Sequence, residues 1–279
     1  MNNCNPPLTA HPPAIPEPLW NGMIRDSAIG GHPVRFLAST GSTNDVALEL
    51  AASGAASGTL VVAESQSAGR GRLPGRTWAS PPESGLYFSL ILHPHLAPAD
   101  FPKLTLAAGL ALCKGLENRT ECHPGLKWPN DLFLCGKKCG GILSETQALS
   151  GAGQTAVVIG IGLNVNTPAH DFTDELQIKA TSLLAETGAS YDRGALLSAI
   201  LAELDLMVAR LEQNDFPSIL TEWRQRDIHA DRQVSWVNNQ GMIITGLSLG
   251  PDEEGLLRVR DAQGHVHSVI SGDISPAQV

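Results

Sequence analysis

Residues 127–143 read KWPNDLFLCGKKCGGIL. The apolar triplet Leu132–Leu134, the turn pair Cys135-Gly136 and the run Gly141–Ser144 form a hairpin pattern, two short strands around turn residues. A longer apolar run, Ala156–Val165, follows with no helical pattern in between. Strands that succeed one another without a helix do not make the regular βαβ repeat of a parallel sheet. The expected fold is therefore α+β, built on a mixed sheet.

Upstream, Val34–Ala38 reads as a strand, broken by Ser39-Thr40-Gly41-Ser42-Thr43. Asn44–Ala52 has helical spacing, with Ser42 or Thr43 as its cap. Gly54 and Gly58 close it, and Thr59–Ala63 and Leu86–Leu92 are apolar strands. Leu104, Ala108, Leu112 and Leu116 fall on one face of a helix over Phe101–Leu116. Downstream, Leu196, Leu197, Ile200, Leu204 and Met207 mark one face of a helix over Arg193–Leu211, and a second helix covers Phe216–Arg226. The chain then changes character. Gln233–Val237, Met242–Leu247, Leu256–Arg260 and His265–Ile270 are short strands linked by hairpin residues such as Asn238-Asn239-Gln240-Gly241. Such closely spaced strands predict a small β-barrel. The organisation expected is a proline-rich arm over 1–33, a catalytic domain over 34–229 and a barrel over 230–279.

The 279 residues suffice for one large and one small core. Hydrophobic residues make up 42% and aromatics 5%, so the core must rest on aliphatic side chains. A net charge of −9 disfavours general nucleic-acid binding. Cys4, Cys113, Cys122, Cys135 and Cys139 are odd in number and show no disulfide framework. Cys135 and Cys139 have no second ligand pair, so zinc is not expected. The start, MNNCNPPLTA, lacks the basic and apolar runs of a secretory signal, and no apolar stretch reaches the ~18 residues that span a membrane. The expected location is the cytoplasm.

Three segments carry chemistry. In Glu64–Arg72, Gly69 and Gly71 let the backbone approach a ligand, while Arg70, Arg72 and Arg76 supply permanent charge in an acidic protein. This reads as an anion clamp, with a solvated surface loop as the competing reading. Pro74 stands where a dinucleotide fingerprint needs its third glycine, and no Gly-Lys-Ser/Thr follows to make a P-loop. Around the hairpin, Asp131 and Lys138 lie near the ends of adjacent strands, and Gly140 and Gly141 leave room for a flat ligand. In Val157–Asn166, Gly160 and Gly162 permit close approach and Asn164 both donates and accepts.

In this order, Gly41–Asn44, Gln66–Arg72, Gly75–Trp78, Lys127–Asp131, Lys138–Leu143 and Gly160–Asn164 resemble the biotin–protein ligase family over roughly residues 34–270. The resemblance implies a catalytic fold like that of class II aminoacyl-tRNA synthetases followed by an SH3-like barrel. It implies formation of biotinyl-5′-AMP from biotin and magnesium-ATP, then transfer to a lysine of a biotin carboxyl carrier domain. By the same resemblance, Ser42, Thr43, Asn44, Gln66, Arg70, Gly71, Arg72, Lys138, Gly140 and Gly141 bind biotin. Arg70, Arg72, Arg76, Trp78, Asn130, Lys138 and Asn164 bind ATP or the adenylate, and Lys138, Arg70 and Asp131 are the catalytic set. It names no magnesium ligands, and implies a monomer or weak homodimer.

Some members of that family carry an N-terminal DNA-binding module. The about 33 residues before the first expected strand are too few for one, so a monofunctional enzyme without nucleic-acid or membrane partners is expected. A lipoate–protein ligase or octanoyl transferase shares the broader fold and remains the nearest rival. A biotin-responsive regulator and an inactive adaptor are the others.

Overall fold

The computed structural model describes residues 28–29, 31–149, 154–237, 242–270, 272 and 274–277. Most of the proline-rich arm and the turn Asn238–Gly241 lie outside the described residues.

The first half of the chain forms β1 (Ala28–Ile29), β2 (His32–Leu37), α1 (Thr43–Ala52), β3 (Leu60–Ala63), β4 (Gly85–Leu92) and α2 (Phe101–Glu117). Then come β5 (Gly125–Lys127), β6 (Asp131–Leu134), β7 (Lys137–Ala148) and β8 (Thr155–Asn164). Two short helices, α3 (Asp174–Gln177) and α4 (Leu183–Thr187), precede α5 (Arg193–Glu212) and α6 (Phe216–Arg224). The last segment holds β9 (Gln233–Val237), β10 (Ile243–Pro251), β11 (Leu257–Arg260), β12 (Val266–Val269) and β13 (Ser275–Pro276).

Eight strands make one mixed sheet in the order β1-β2-β3-β4-β8-β7-β6-β5. β2 and β3 run parallel, and the other neighbours antiparallel. Because side chains alternate across a strand, each strand serves two faces. Leu60 and Val62 of β3, with Leu86, Phe88 and Leu90 of β4, belong to the large core shared with α2, α5 and α6. Val61, Ile91 and Val158 point the other way, onto Ala47 and Ala51 of α1. Of the four longer helices, α2, α5 and α6 therefore sit on one face and α1 on the other. α2 and α5 approach closely at Gly115, where an added Cβ would lie 2.8 Å from the Ile200 Cα.

The β6–β7 hairpin forms as expected. Cys135 and Gly136 both adopt positive φ (47° and 81°), as a two-residue turn between Leu134 and Lys137 requires. β7 runs on to Ala148, well past Ser144. The extra residues Glu145–Ala148 pair with β8 through Thr155, but their polar side chains hide the strand from an apolar-run reading. Folded structure also begins before Val34, since His32 and Ile29 are already paired. α4 had no apolar run to announce it. It is fixed by the Ser182 hydroxyl capping Ala185 N–H and by left-handed Gly188.

The last five strands form an antiparallel sheet, β12-β11-β10-β9-β13. β10 extends to Pro251 because an irregularity after Ser248 and positive-φ Gly250 let it bend. The inner residues Val234, Trp236, Leu257 and Val259 join the same core as α2 and α6. Trp128 Nε1 donates to Gly255 O at 3.0 Å, and Arg224 donates to Pro251 O. The second sheet is thus packed on the helices α2 and α6 and on Trp128 of the β5–β6 connection.

Candidate active site

The register of the central strands sets the floor of a cleft on the α1 face. Ser89, Gly160 and Leu143 are paired across β4, β8 and β7, and Tyr87, Gly162 and Gly141 form the next row. The glycines are needed because other groups lie on them. A Cβ on Gly160 would fall inside the Asn44 amide, and one on Gly162 would come within 2.5 Å of Trp78 Nε1. Above this floor is an open cleft, lined by Thr43, Gln66, Arg70, Arg72, Asn130 and Lys138 among others.

One end of the cleft is polar and internally hydrogen-bonded. Ser42 occupies the N-cap position of α1 with an extended backbone, yet its hydroxyl makes no capping bond. Ser42, Thr43 and Asn44 are all buried. Gln66 Oε1 accepts from Thr43 N at 2.8 Å and from Thr43 Oγ1, and Gln66 Nε2 donates to Ser80 Oγ. Ser89 Oγ is 2.6 Å from Asn44 Oδ1 and 2.8 Å from Thr43 Oγ1. The amide oxygen accepts only, so the Ser89 proton goes to Asn44. Asn44 Nδ2 donates in turn to Leu143 O and to Glu145 Oε2 at 2.7 Å.

The other end is cationic. Lys138 Nζ is 2.6 Å from Asp131 Oδ1 and 5.6 Å from the Trp78 ring centroid. Its backbone is tied to Lys179 and Thr181, which fixes the strand that presents it. Arg72 Nε donates to Asn130 Oδ1 at 3.2 Å, and its Nη2 to Gly272 O at 2.6 Å. The arginine loop is itself a small hairpin: Gly71 N–H donates to Arg76 O and Trp78 N–H to Gly69 O, each at 2.8 Å. Arg70 meets two carboxylates, Asp45 at 2.6 Å and Glu145 at 2.9 Å. Burial opposes its charge, but the attraction of Glu145 and Asp45 outweighs that and raises its pKa.

Most of the residues expected from sequence converge here: Ser42, Thr43, Asn44, Gln66, Arg70, Gly71, Arg72, Trp78, Asn130, Lys138 and Gly141 line the cleft, with Asp131 behind Lys138. Three lie elsewhere. Gly140 is on the opposite face of β7, against Leu132 and Leu163. Asn164 is buried at the end of β8 and donates to Thr181 O. Arg76 is exposed on the outer arm of the loop. Sequence reading passed over Ser89, Ser80, Asp45 and Glu145. Ser89 carried a signal, being the one polar residue in the buried run Leu86–Leu92.

The comparisons fit this geometry. A family model described as the biotin/lipoate A/B protein ligase family matches residues 36–164, the segment that builds the cleft. The biotin–[acetyl-CoA-carboxylase] ligase of Mycobacterium tuberculosis is 34% identical over 266 residues, covering 92% of this chain and 95% of that protein. The chain belongs to the biotin protein ligase family. The bifunctional ligase/repressor BirA of Bacillus subtilis is 37% identical over 233 residues, 84% of this chain and 70% of its own. Among solved structures, the biotin protein ligase from Aquifex aeolicus in complex with biotin and ATP superposes with a TM-score of 0.75 at 29% identity, covering 88% of this chain and 99% of that one.

In this ligase no group of three or more His, Cys, Asp or Glu among the described residues is placed to hold a metal ion. Asp45, Glu145 and Asp131 are each engaged by a cation of the chain. Among the described residues the magnesium expected with ATP thus finds no ready cage of protein ligands. Cys139 is buried, and burial pushes its thiol well above the usual range, so it is no metal-ready thiolate. Trp78 Nε1 is buried against the Gly162 backbone with no hydrogen-bond partner among the described residues. No helix of the described residues is long and apolar enough to cross a membrane.

Proposed function

We propose that this ligase activates biotin with ATP as biotinyl-5′-AMP and then transfers the biotinyl group to a lysine of a biotin carboxyl carrier domain. The observation that carries the reading is the arrangement of the cleft: a wired pocket of hydroxyls and amides at one end, and Lys138 with Arg72 at the other. A buried urea needs hydrogen-bond partners, because leaving one unpaired costs about 1–3 kcal/mol per group. Thr43, Asn44 and Gln66 line the cleft and are the residues assigned to supply them.

In the first step a biotin carboxylate oxygen attacks the α-phosphorus and pyrophosphate leaves. Two anions must meet, so a fixed cation between them lowers the barrier both by positioning and by stabilising developing charge. Lys138 is that cation. Trp78 offers its indole to the adenine, and Asn130 holds Arg72 at the same end. In the second step the acceptor amine attacks the acyl carbon, AMP leaves with the C–O electrons, and the nitrogen gives up a proton. A lysine with a reference pKa near ~10.4 is protonated at neutral pH and must first lose a proton. Asp131 is assigned to orient it or accept that proton.

The test uses α-labelled ATP with magnesium, and biotin or lipoate. Labelled adenylate with biotin alone is the expected result. No adenylate with biotin, or preference for lipoate, would overturn the substrate assignment. In the same assay Asp131→Asn is expected to slow transfer to a carrier domain by about tenfold more than it slows adenylation. Equal loss in both half-reactions would reduce Asp131 to a holder of Lys138, the contact it makes at 2.6 Å.

A further inference from the structure

Arg70 stands in the loop read from sequence as an anion clamp, yet its guanidinium is committed within the protein. Nη1 lies 2.6 Å from Asp45 Oδ1, on the first turn of α1. Nη2 donates to both Glu145 oxygens, at 2.9 and 3.1 Å, on β7. The contact continues inward. The Glu145 oxygen that takes the shorter of these bonds also accepts from Asn44 Nδ2 at 2.7 Å, and the other side of that amide accepts from Ser89. One arginine thus joins the loop, the helix and the central strand, and through Glu145 it supports the Asn44 amide, whose Nδ2 Leu143 O also holds towards β7.

Its electrostatic effect matters as much. Asp45 and Glu145 stand beside a cleft that receives a carboxylate and a triphosphate under the reading above. Bare, they would repel both; with Arg70 between them, two negative charges face one positive charge within contact distance. We infer that Arg70 is a positioning residue: it screens Asp45 and Glu145 and supports Asn44 for biotin, while Lys138 and Arg72 meet the substrate's own anions. This rests on the ligase reading and assigns its binding pocket a support outside the reacting groups.

A residue that acts through Glu145 loses its importance when Glu145 loses its charge. The test measures biotin affinity by titration, together with KM and kcat for biotin-dependent pyrophosphate release, in wild type, Arg70→Ala, Arg70→Lys, Glu145→Gln and Arg70→Ala/Glu145→Gln. Arg70→Ala is expected to raise Kd and KM for biotin roughly tenfold, a modest effect because the three side chains are partly exposed and screened. Its kcat should stay within about twofold of wild type. Arg70→Lys, a single point charge that cannot bridge both carboxylates, should fall in between. Glu145→Gln added to Arg70→Ala should restore most of the lost affinity, since glutamine keeps an acceptor for Asn44 without the charge. The inference is overturned alone if wild type binds biotin but the double variant is as weak as, or weaker than, Arg70→Ala, or if Arg70→Ala lowers kcat about a hundredfold at unchanged KM. A wild type that binds no biotin overturns the ligase reading and this inference with it.

Discussion

Lys138→Ala is expected to lower biotin-dependent adenylate formation by about 10²- to 10³-fold, the usual cost of removing one preorganised charge partner from a developing transition-state charge. Two features make the loss large. Lys138 Nζ lies 5.6 Å from the Trp78 ring centroid, and the strand that presents it is pinned by backbone bonds to Lys179 and Thr181. Removal also leaves Asp131, whose side chain is only 17% exposed, without its 2.6 Å partner. An unpaired carboxylate there adds repulsion against the incoming carboxylate and phosphate. Lys138→Met is the informative companion, because it keeps an unbranched stem over Trp78 and removes only the charge. Single-turnover adenylation should fall alike in both variants, while their thermal midpoints stay close to wild type. A loss below about fivefold in Lys138→Met would remove Lys138 from the chemistry.

The second large effect concerns stability. Arg193, at the start of α5, is 2% exposed, and its Nη1 reaches Glu64 Oε1 at 2.7 Å and Gly85 O at 3.1 Å. Glu64 Oε1 also accepts from Glu83 N, and Oε2 is buried with no hydrogen-bond partner among the described residues. Breaking a buried pair by deleting one member leaves the other charge stranded, at a cost of about 3–5 kcal/mol. Arg193→Ala should therefore lower Tm by on the order of 10 °C. Arg193→Met combined with Glu64→Gln should recover a good part of it, because it removes both charges. Calorimetry on the two variants decides the matter: an Arg193→Ala midpoint within about 2 °C of wild type would mean that water reaches Glu64 and compensates for the lost partner. The pair also connects to the cleft, since Glu64 lies two residues before Gln66 and Gly85 opens β4.

The elements that sequence made legible were those whose signal is local. The β6–β7 turn needed two positive-φ residues and displayed Cys135-Gly136, and α5 showed its apolar face by spacing alone. Most of the cleft was legible too, because glycines and arginines are conspicuous where a strand ends. What stayed hidden depends on register. Glu145 looks like a solvated strand residue until β7 is aligned with β8 and α1 is laid across them. Asp45 looks like an ordinary acid in a helix's first turn until Arg70 arrives from the loop. Gly140 and Gly141 are indistinguishable as letters, but the pleat sends one to the core and the other to the cleft. Arg76 and Asn164 were drawn in with neighbouring motif residues, and the loop's own hairpin and the buried end of β8 carry them away.

The glycine floor has a bearing on how this protein can change over generations. Every replacement of glycine adds at least one carbon. At Gly160 that carbon falls inside the Asn44 amide, and at Gly162 it meets the Trp78 indole. Neither position therefore has a mild neighbour in mutational space, and a lineage can leave either only by altering Asn44 or Trp78 as well. Innovation in what the cleft accepts must enter through its walls, at side chains such as Leu143, and not through its floor. The floor will outlast the specificity it serves.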